Sequence, residues 1–436
     1  MKYKYKNLIP FVLIIFMAAA WYQIIRDSVN TTREYNGYVE AARKFSKDAV
    51  LLDAAENYNK AIQMKDSVGL RIELADLYKN NDMMDEASET AQAMITAFPQ
   101  NAQAYEYLMN LYLFQESYGG CFRTYDRANK VGAVSDKMKQ MISDIQYKYK
   151  VIASGFSEVS MYSNDICAVK IGDFWGFVNA AGENLSGAEY RTAGDFTGDK
   201  AFVENQEGEK YFIDSEGNKR GVLPDGVDPE SVGNFQDGVY SVCDSGKYDF
   251  YTIDKQKVLG SYSDATTFAN GYAVVLTDTG FGLIDAEGKA VGSADYLKVA
   301  CDERGVATEK ERIFFMKGDS WLMTSVDGSV VGTDTYEEVK PFYPNGAYAA
   351  VKKEGKWGFV DTEGKMCITP QFEDARSFSN GYAAVKKDHM WGFVDVSGNI
   401  VIEPVFQEAM DMNSSGNIFV KENGGWKLIS LYRYNY

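Results

Sequence analysis

Histidine is almost absent from this sequence: 436 residues include a single one, His389. That scarcity argues against imidazole-built metal centres and against a Ser/His/Asp triad. The five cysteines, at 121, 167, 243, 301 and 367, form no C-x-x-C pair. So odd and scattered a set is neither a disulfide framework nor a zinc site. Positive charge is also short, with 45 Lys and Arg against 62 Asp and Glu and a formal net charge of −17. Such a surface repels phosphate backbones, so no nucleic-acid partner is expected. No Gly-rich phosphate loop, no H-E-x-x-H and no G-x-S-x-G elbow occurs. The expectation is a protein without cofactor or metal that is not an enzyme. Proline is scarce at 8, whereas Gly (39), Tyr (30) and Phe (25) are plentiful, the balance of β-structure with tight turns.

At the N-terminus, Leu8 to Ile25 carries 18 residues without a charge, preceded by Lys2, Lys4 and Lys6. As a helix it would measure roughly 27 Å, near the hydrocarbon thickness of a bilayer. Residues 1–31 therefore predict a cytoplasmic tail and transmembrane helix. This implies a single-pass protein of the cell membrane, its N-terminus inside and its bulk outside. The alternative is a signal peptide cleaved after Ala18 to Ala20, giving a secreted protein.

Residues 32–149 carry helical periodicity. Leu74, Ala75 and Tyr78 share one face, Ala87, Ala91 and Met94 another, and Pro99 stops the second helix. Phe45, Tyr78 and Tyr112 are spaced 33 and 34 apart, as are Ala54, Ala87 and Cys121. This pattern resembles the tetratricopeptide repeat, in about three units from Tyr35 to Gly132, although the family's tryptophan position holds Tyr38, Arg71 and Tyr105. "SDKMKQMISDIQYKYK" reads as the solvating cap of such an array. The resemblance implies a groove for a protein or peptide partner, lined by Ile72, Asp76, Lys79, Asn80, Glu106, Asn110 and Phe114. A generic helical bundle is the plainer alternative.

Residues 150–436 repeat one unit. "KWGFVDTEGK" at Lys356 returns 34 positions later as "MWGFVDVSGN" at Met390. The Trp position is assigned to Trp175, Lys210, Phe250, Phe281, Trp321, Trp357, Trp391 and Trp426. A D-x-x-G turn follows, then an aromatic eleven residues past the Asp position, at Tyr190, Tyr296, Tyr336, Phe372 and Phe406. An F-x-x-G turn and an A-x-V strand complete the unit. "WGFVD" alternates as a half-buried strand. The Asp caps its own turn and the Gly takes positive φ. Pro370 and Pro404 are expected to end the following strand. Each unit is thus a three-stranded meander of about 35 residues that must stack on its neighbours to bury its rings.

The pattern is similar to the WG-repeat family of bacterial proteins, whose repeats imply binding or structural modules. "VIASGF" at Val151 matches "VIEPVF" at Val401, so the first strand can complete the last unit. A closed propeller-like ring of about eight modules follows; an open β-solenoid is the alternative. The fold class is thus multidomain, α plus all-β: transmembrane helix, tetratricopeptide-like α-solenoid, β ring.

The acidic turns offer too few oxygens each for Ca²⁺. His389 aligns with a hairpin tip, and the tryptophans alternate as core residues. Among 62 acids, sequence selects no catalytic pair. The function expected is a membrane-anchored, extracytoplasmic scaffold for protein–protein contact at the bacterial envelope. The alternatives are binding of cell-wall glycan or another polysaccharide by the ring, and a glycan-active enzyme on a propeller.

Overall fold

The computed structural model describes residues 8–225 and 231–434, less the side chains of 8–15 and 24. The chain divides into two compact units, one up to Gln146 and one from Tyr147.

The first unit is helical: α1 (Leu8–Lys47), α2 (Leu51–Met64), α3 (Val68–Lys79), α4 (Met84–Ala97), α5 (Ala102–Phe114), α6 (Tyr118–Lys130) and α7 (Asp136–Ile145). Polar caps start three of them. Ser67 accepts from the Leu70 N–H, Asn101 from Gln103 and Ser135 from Met138, which pairs backbone donors the helix leaves open. α4 stops just short of Pro99. The small residues at the repeated position, Ala54, Ala87 and Cys121, are fully buried, letting consecutive helices approach closely. At Gly120, where α6 crosses α5, a Cβ would lie 2.7 Å from the Tyr112 ring. These are tetratricopeptide-like helix pairs, with α7 last.

The membrane expectation is overturned. Among the described residues, no helix is long and apolar enough to cross a membrane. The described side chains of α1 offer only the stretch from Phe16 to Ile25 before Arg26 and Asp27, well short of the ~20 residues a span needs. The rest of the expected span, Leu8–Ile15, has its side chains outside the described residues. The single-pass cell-membrane localisation, the membrane as partner and the anchor at 1–31 are thereby corrected, and the envelope placement loses the observation it rested on.

The second unit is an eight-bladed β-propeller ring. Seven blades have four antiparallel strands and one, Tyr272–Tyr296, has three. The three-stranded meander expected from sequence gains a two-residue first strand, such as Glu338–Val339 in blade 6. Blade 8 combines Glu408–Ala409, Asn417–Glu422 and Gly425–Leu431 with Tyr149–Phe156 from the start of the unit. That first strand pairs antiparallel with the last, from Tyr149 opposite Leu431 to Phe156 opposite Trp426. The ring is closed in this way and leaves no open edge at the join, which excludes the open solenoid.

The Trp-Gly-Phe signature has a local cause. In blade 7, Trp391 pairs with Phe406 but Phe393 pairs with Ile402, so the outermost strand bulges against the residue between. That residue is Gly392, where a Cβ would stand 2.5 Å from the Ile402 carbonyl oxygen. Pro370 and Pro404 do not end their strands. They lie within Met366–Phe372 and Ile400–Phe406, at the bulge of an edge strand, where a missing N–H is harmless. Blade 3 also corrects the alignment. Tyr248, opposite Cys243 and Tyr262, holds the Trp position, and Phe250 sits two residues further on. The turns behave as expected: the Asp395 carboxylate accepts from the N–H groups of Ser397 and Asn399, and Gly398 has φ 82°.

Neighbouring blades are stapled by rings. The Phe two residues past the Trp position in one blade meets the Phe of the next blade's inner turn nearly edge-on. Phe177–Phe196 and Phe359–Phe378 centroids are 4.8 Å apart, and Phe250–Phe268 4.9 Å. Phe359 and Phe393 are essentially inaccessible, whereas Trp175, Trp321 and Trp391 are only half-buried. Where present, the Phe therefore holds the core, and the Trp varies: Trp357 and Trp426 are buried core residues, while the other three border it. His389 is exposed at a hairpin tip, as aligned.

Candidate functional site

In the helical unit, the seven groove residues divide. Ile72 is half-buried in the hydrophobic core. Asp76 accepts from the Tyr107 hydroxyl at 2.7 Å, a link between α3 and α5 that raises the phenol's pKa through burial and the adjoining carboxylate. Glu106 accepts from the Ser135 hydroxyl at 2.6 Å. Those three serve the fold. Asn80, Asn110 and Phe114 stay exposed, Phe114 by 68%, and the Lys79 ammonium stands 5.4 Å from its ring centroid.

The ring has a second concentration of chemistry, which the sequence reading missed. Each four-stranded blade sends a loop from its short first strand to its second. In blade 7 the loop between Asp374–Ala375 and Tyr382–Lys387 has six residues; in blade 5, between Lys298–Val299 and Arg312–Lys317, it has twelve. The extra length carries "CDERGV" across the ring. Asn234 of blade 3 donates to the Arg304 carbonyl at 3.0 Å, and the Thr267 hydroxyl of blade 4 donates to the same oxygen at 2.9 Å. Glu303 pairs with Arg376 of blade 7 at 2.7 Å. Blades that are not neighbours in the ring meet only near its axis, so this loop crosses the axial channel.

Buried charge gathers there. Arg304 is bound by Asp302 at 2.5 Å and Glu309 at 3.4 Å. Arg376 makes a bidentate pair with Asp411 at 2.8 and 2.9 Å in addition to Glu303. Burial alone would lower the Arg376 pKa, but the carboxylates raise it, so it stays charged. Burial pushes the carboxyl of Asp195, in blade 2, up to about 6. Asp195 has no cation in an ion pair with it among the described residues.

One side of this crossing is a cavity of about 240 Å³. Blades 1, 5, 6, 7 and 8 line it, among others with Ser163, Asp165, Arg304, Tyr343 and Asp411. Its amides are partly spent on holding blades together: Asn164 donates to the Phe196 and Gly198 carbonyls, and Asn380 to Met412. Asn164 and Asn380 occupy the turn before the second strand with φ 49° and 50°, a conformation Asn tolerates better than most residues. No group of three or more metal-ligating side chains suited to an ion occurs among the described residues. The available signal was the spacing: Phe281 to Trp321 is 40 residues where the regular units need 34, and the surplus is rich in charge.

Among solved structures, Hsv2 of Kluyveromyces lactis is similar to this chain at 11% identity and TM-score 0.38, covering 63% of this chain and 97% of that one. A structure titled as the eukaryotic initiation factor is similar at 13% identity and TM-score 0.42, covering 62% and 79%. The Sgt2 TPR domain from Aspergillus fumigatus is similar at 17% identity and TM-score 0.22, covering 26% and 76%. No curated protein matches. At four places, residues 175–211, 335–357, 357–388 and 391–426, the sequence matches the family described as WG containing repeat, so the ring region carries WG repeats.

Proposed function

We propose that the protein is a binding scaffold rather than an enzyme, and that its helical unit engages a protein or peptide partner. The observation that supports this reading is Phe114. A large aromatic side chain stands 68% exposed at the end of α5, with Lys79 over its ring and the exposed amides of Asn80 and Asn110 on the same pair of helices. An aromatic anchor beside adaptable polar groups is the usual make-up of an interaction hot spot. The enzyme reading has less behind it, because Asp411, one of the two carboxylates lining the axial cavity, is already held by Arg376. The glycan reading lacks a stacking platform. Apart from Tyr149 and Tyr434, the strongly exposed large apolar side chains among the described ring residues are aliphatic.

A photo-crosslinker placed at Asn110 should capture a partner that the same group at Glu89, on α4, does not. The captured protein, purified, should bind the full chain and lose at least about tenfold in affinity to Phe114→Ala. Equal capture from both positions, or an unchanged affinity, would overturn the reading.

A further inference from the structure

The axial cavity has features that the scaffold reading does not use. Tyr343 is 2% exposed and Ser163 4% exposed; both line the cavity, and among the described residues neither side-chain hydroxyl has a hydrogen-bond partner. Both open onto the cavity rather than into sealed core, and so are positioned to meet an occupant there. Tyr343 reaches this place because the blade 6 loop, between Glu338–Val339 and Ala349–Lys353, has nine residues where blade 7 has six.

The charge around the cavity gives the sign of that occupant. Arg304 is shared by Asp302 and Glu309, and Arg376 by Asp411 and Glu303, so each guanidinium faces two carboxylates. Lys340 is occupied by Asp374 at 3.0 Å. Asp165 stands at the rim, where one oxygen accepts from the Ser414 hydroxyl at 2.6 Å and the other has no hydrogen bond among the described residues. Asp195 adds its carboxyl behind Arg304. The enclosed potential is negative, and low-dielectric walls strengthen it. The free polar atoms are mostly acceptors: the second oxygen of Asp165 and the side-chain oxygens of Asn164 and Asn380, whose N–H groups are spent on the next blade. A donor-rich cation matches both features. About 240 Å³ is room for one such group and its short carbon stem, not for an oligomer.

We infer that the axial cavity of the ring binds a protonated amine or guanidinium group, held by Asp165 at the rim and by the hydroxyls of Tyr343 and Ser163 inside. The arrangement performs no chemistry on its guest. Its two arginines, each clamped between carboxylates, keep the plug loop in place so that the cavity stays formed when empty.

Calorimetric titration of the full chain tests this, with agmatine and butylamine as cations, glucose as a neutral polyol and glutarate as an anion. Agmatine should bind saturably at one site, more weakly as salt is raised. Tyr343→Phe and Asp165→Asn, both nearly isosteric, should each weaken it by about tenfold, while Glu89→Ala, exposed on α4 of the helical unit, should leave it unchanged. An arginine-bearing peptide compared with its citrulline counterpart separates a polypeptide side chain from a free small molecule as the source of the group. Absence of saturable binding by either cation, tighter binding of glucose or glutarate, or full affinity in both variants would overturn the inference. None of those results bears on partner capture by the helices.

Discussion

Blades 7 and 5 are built on one plan and use it differently. Blade 7 has Trp391-Gly392-Phe393, a six-residue inner loop and a fully buried Phe. Blade 5 has Trp321-Leu322-Met323, a twelve-residue inner loop and the cluster of Asp302, Glu303, Arg304 and Glu309. The bulge that requires Gly392 in blade 7 is rebuilt in blade 5 with Gly332, φ 72°, on the outermost strand. The frame of each blade is thus kept by different residues, while the loop toward the axis is free to vary. Repetition supplies the ring, and departures from repetition supply the distinctive chemistry.

The sharpest way to test this contrast is to remove one support from each. Arg376→Ala would strand the buried Asp411, leave the half-exposed Glu303 without its partner and release the plug of blade 5, costing about 3–5 kcal/mol. Phe393→Ala should cost about as much, ~3–5 kcal/mol, but without disturbing the axial cluster. The neighbouring Trp391→Ala, half-buried, should cost only about 1–2 kcal/mol. Urea unfolding of the full chain, followed by a probe in the ring, reads all three. If Trp391 proves the costlier of the two, the assignment of the core to Phe393 is wrong.

Asp195 gives a pH-dependent test of the axis. Its carboxyl is raised from 3.8 to about 6 by burial, so the folded state binds its proton more tightly than the unfolded state. The resulting stability is present below about pH 4 and is lost as pH rises through about 6, an effect of about 2–3 kcal/mol. Asp195→Asn should flatten that part of the stability–pH curve and raise stability at neutral pH relative to the parent. A parallel pair of curves would show that Asp195 is solvated.

Smaller effects follow at the blade frame. Gly392→Ala should cost about 1–3 kcal/mol through its clash with the Ile402 carbonyl, while Leu322→Ala, at the equivalent place in blade 5, should cost less. Least of all, Lys170→Ala removes an exposed pair with Glu158, at 2.6 Å, and should change stability by under ~1 kcal/mol.

Much of the ring was legible because its determinants are local and repeated. The D-x-x-G turn, the eleven-residue step to the next aromatic and the match of Val151–Phe156 to the last unit all lie on short stretches of chain. The register of blade 3 was less legible. There Tyr248 and Phe250 are both aromatic and two residues apart, so alternation cannot choose between them. Leu8–Ile25 misled for a related reason: an uncharged run meets the length criterion for a span, whereas the described part of α1 carries too few apolar residues before its charges. In the groove, Asp76 and Glu106 look the same in sequence as free surface acids, and only the positions of Tyr107 and Ser135 show that they are spent.

The sequence by itself determined the unit, its count of about eight and the closure of first strand on last, because strand alternation and turn chemistry act over a few residues. Tertiary structure alone decided that the loops of blades 3, 5 and 7 meet. Asn234, Arg304 and Arg376 are far apart along the chain, and what brings them together is the closing of the ring, which forces every inner loop toward one axis.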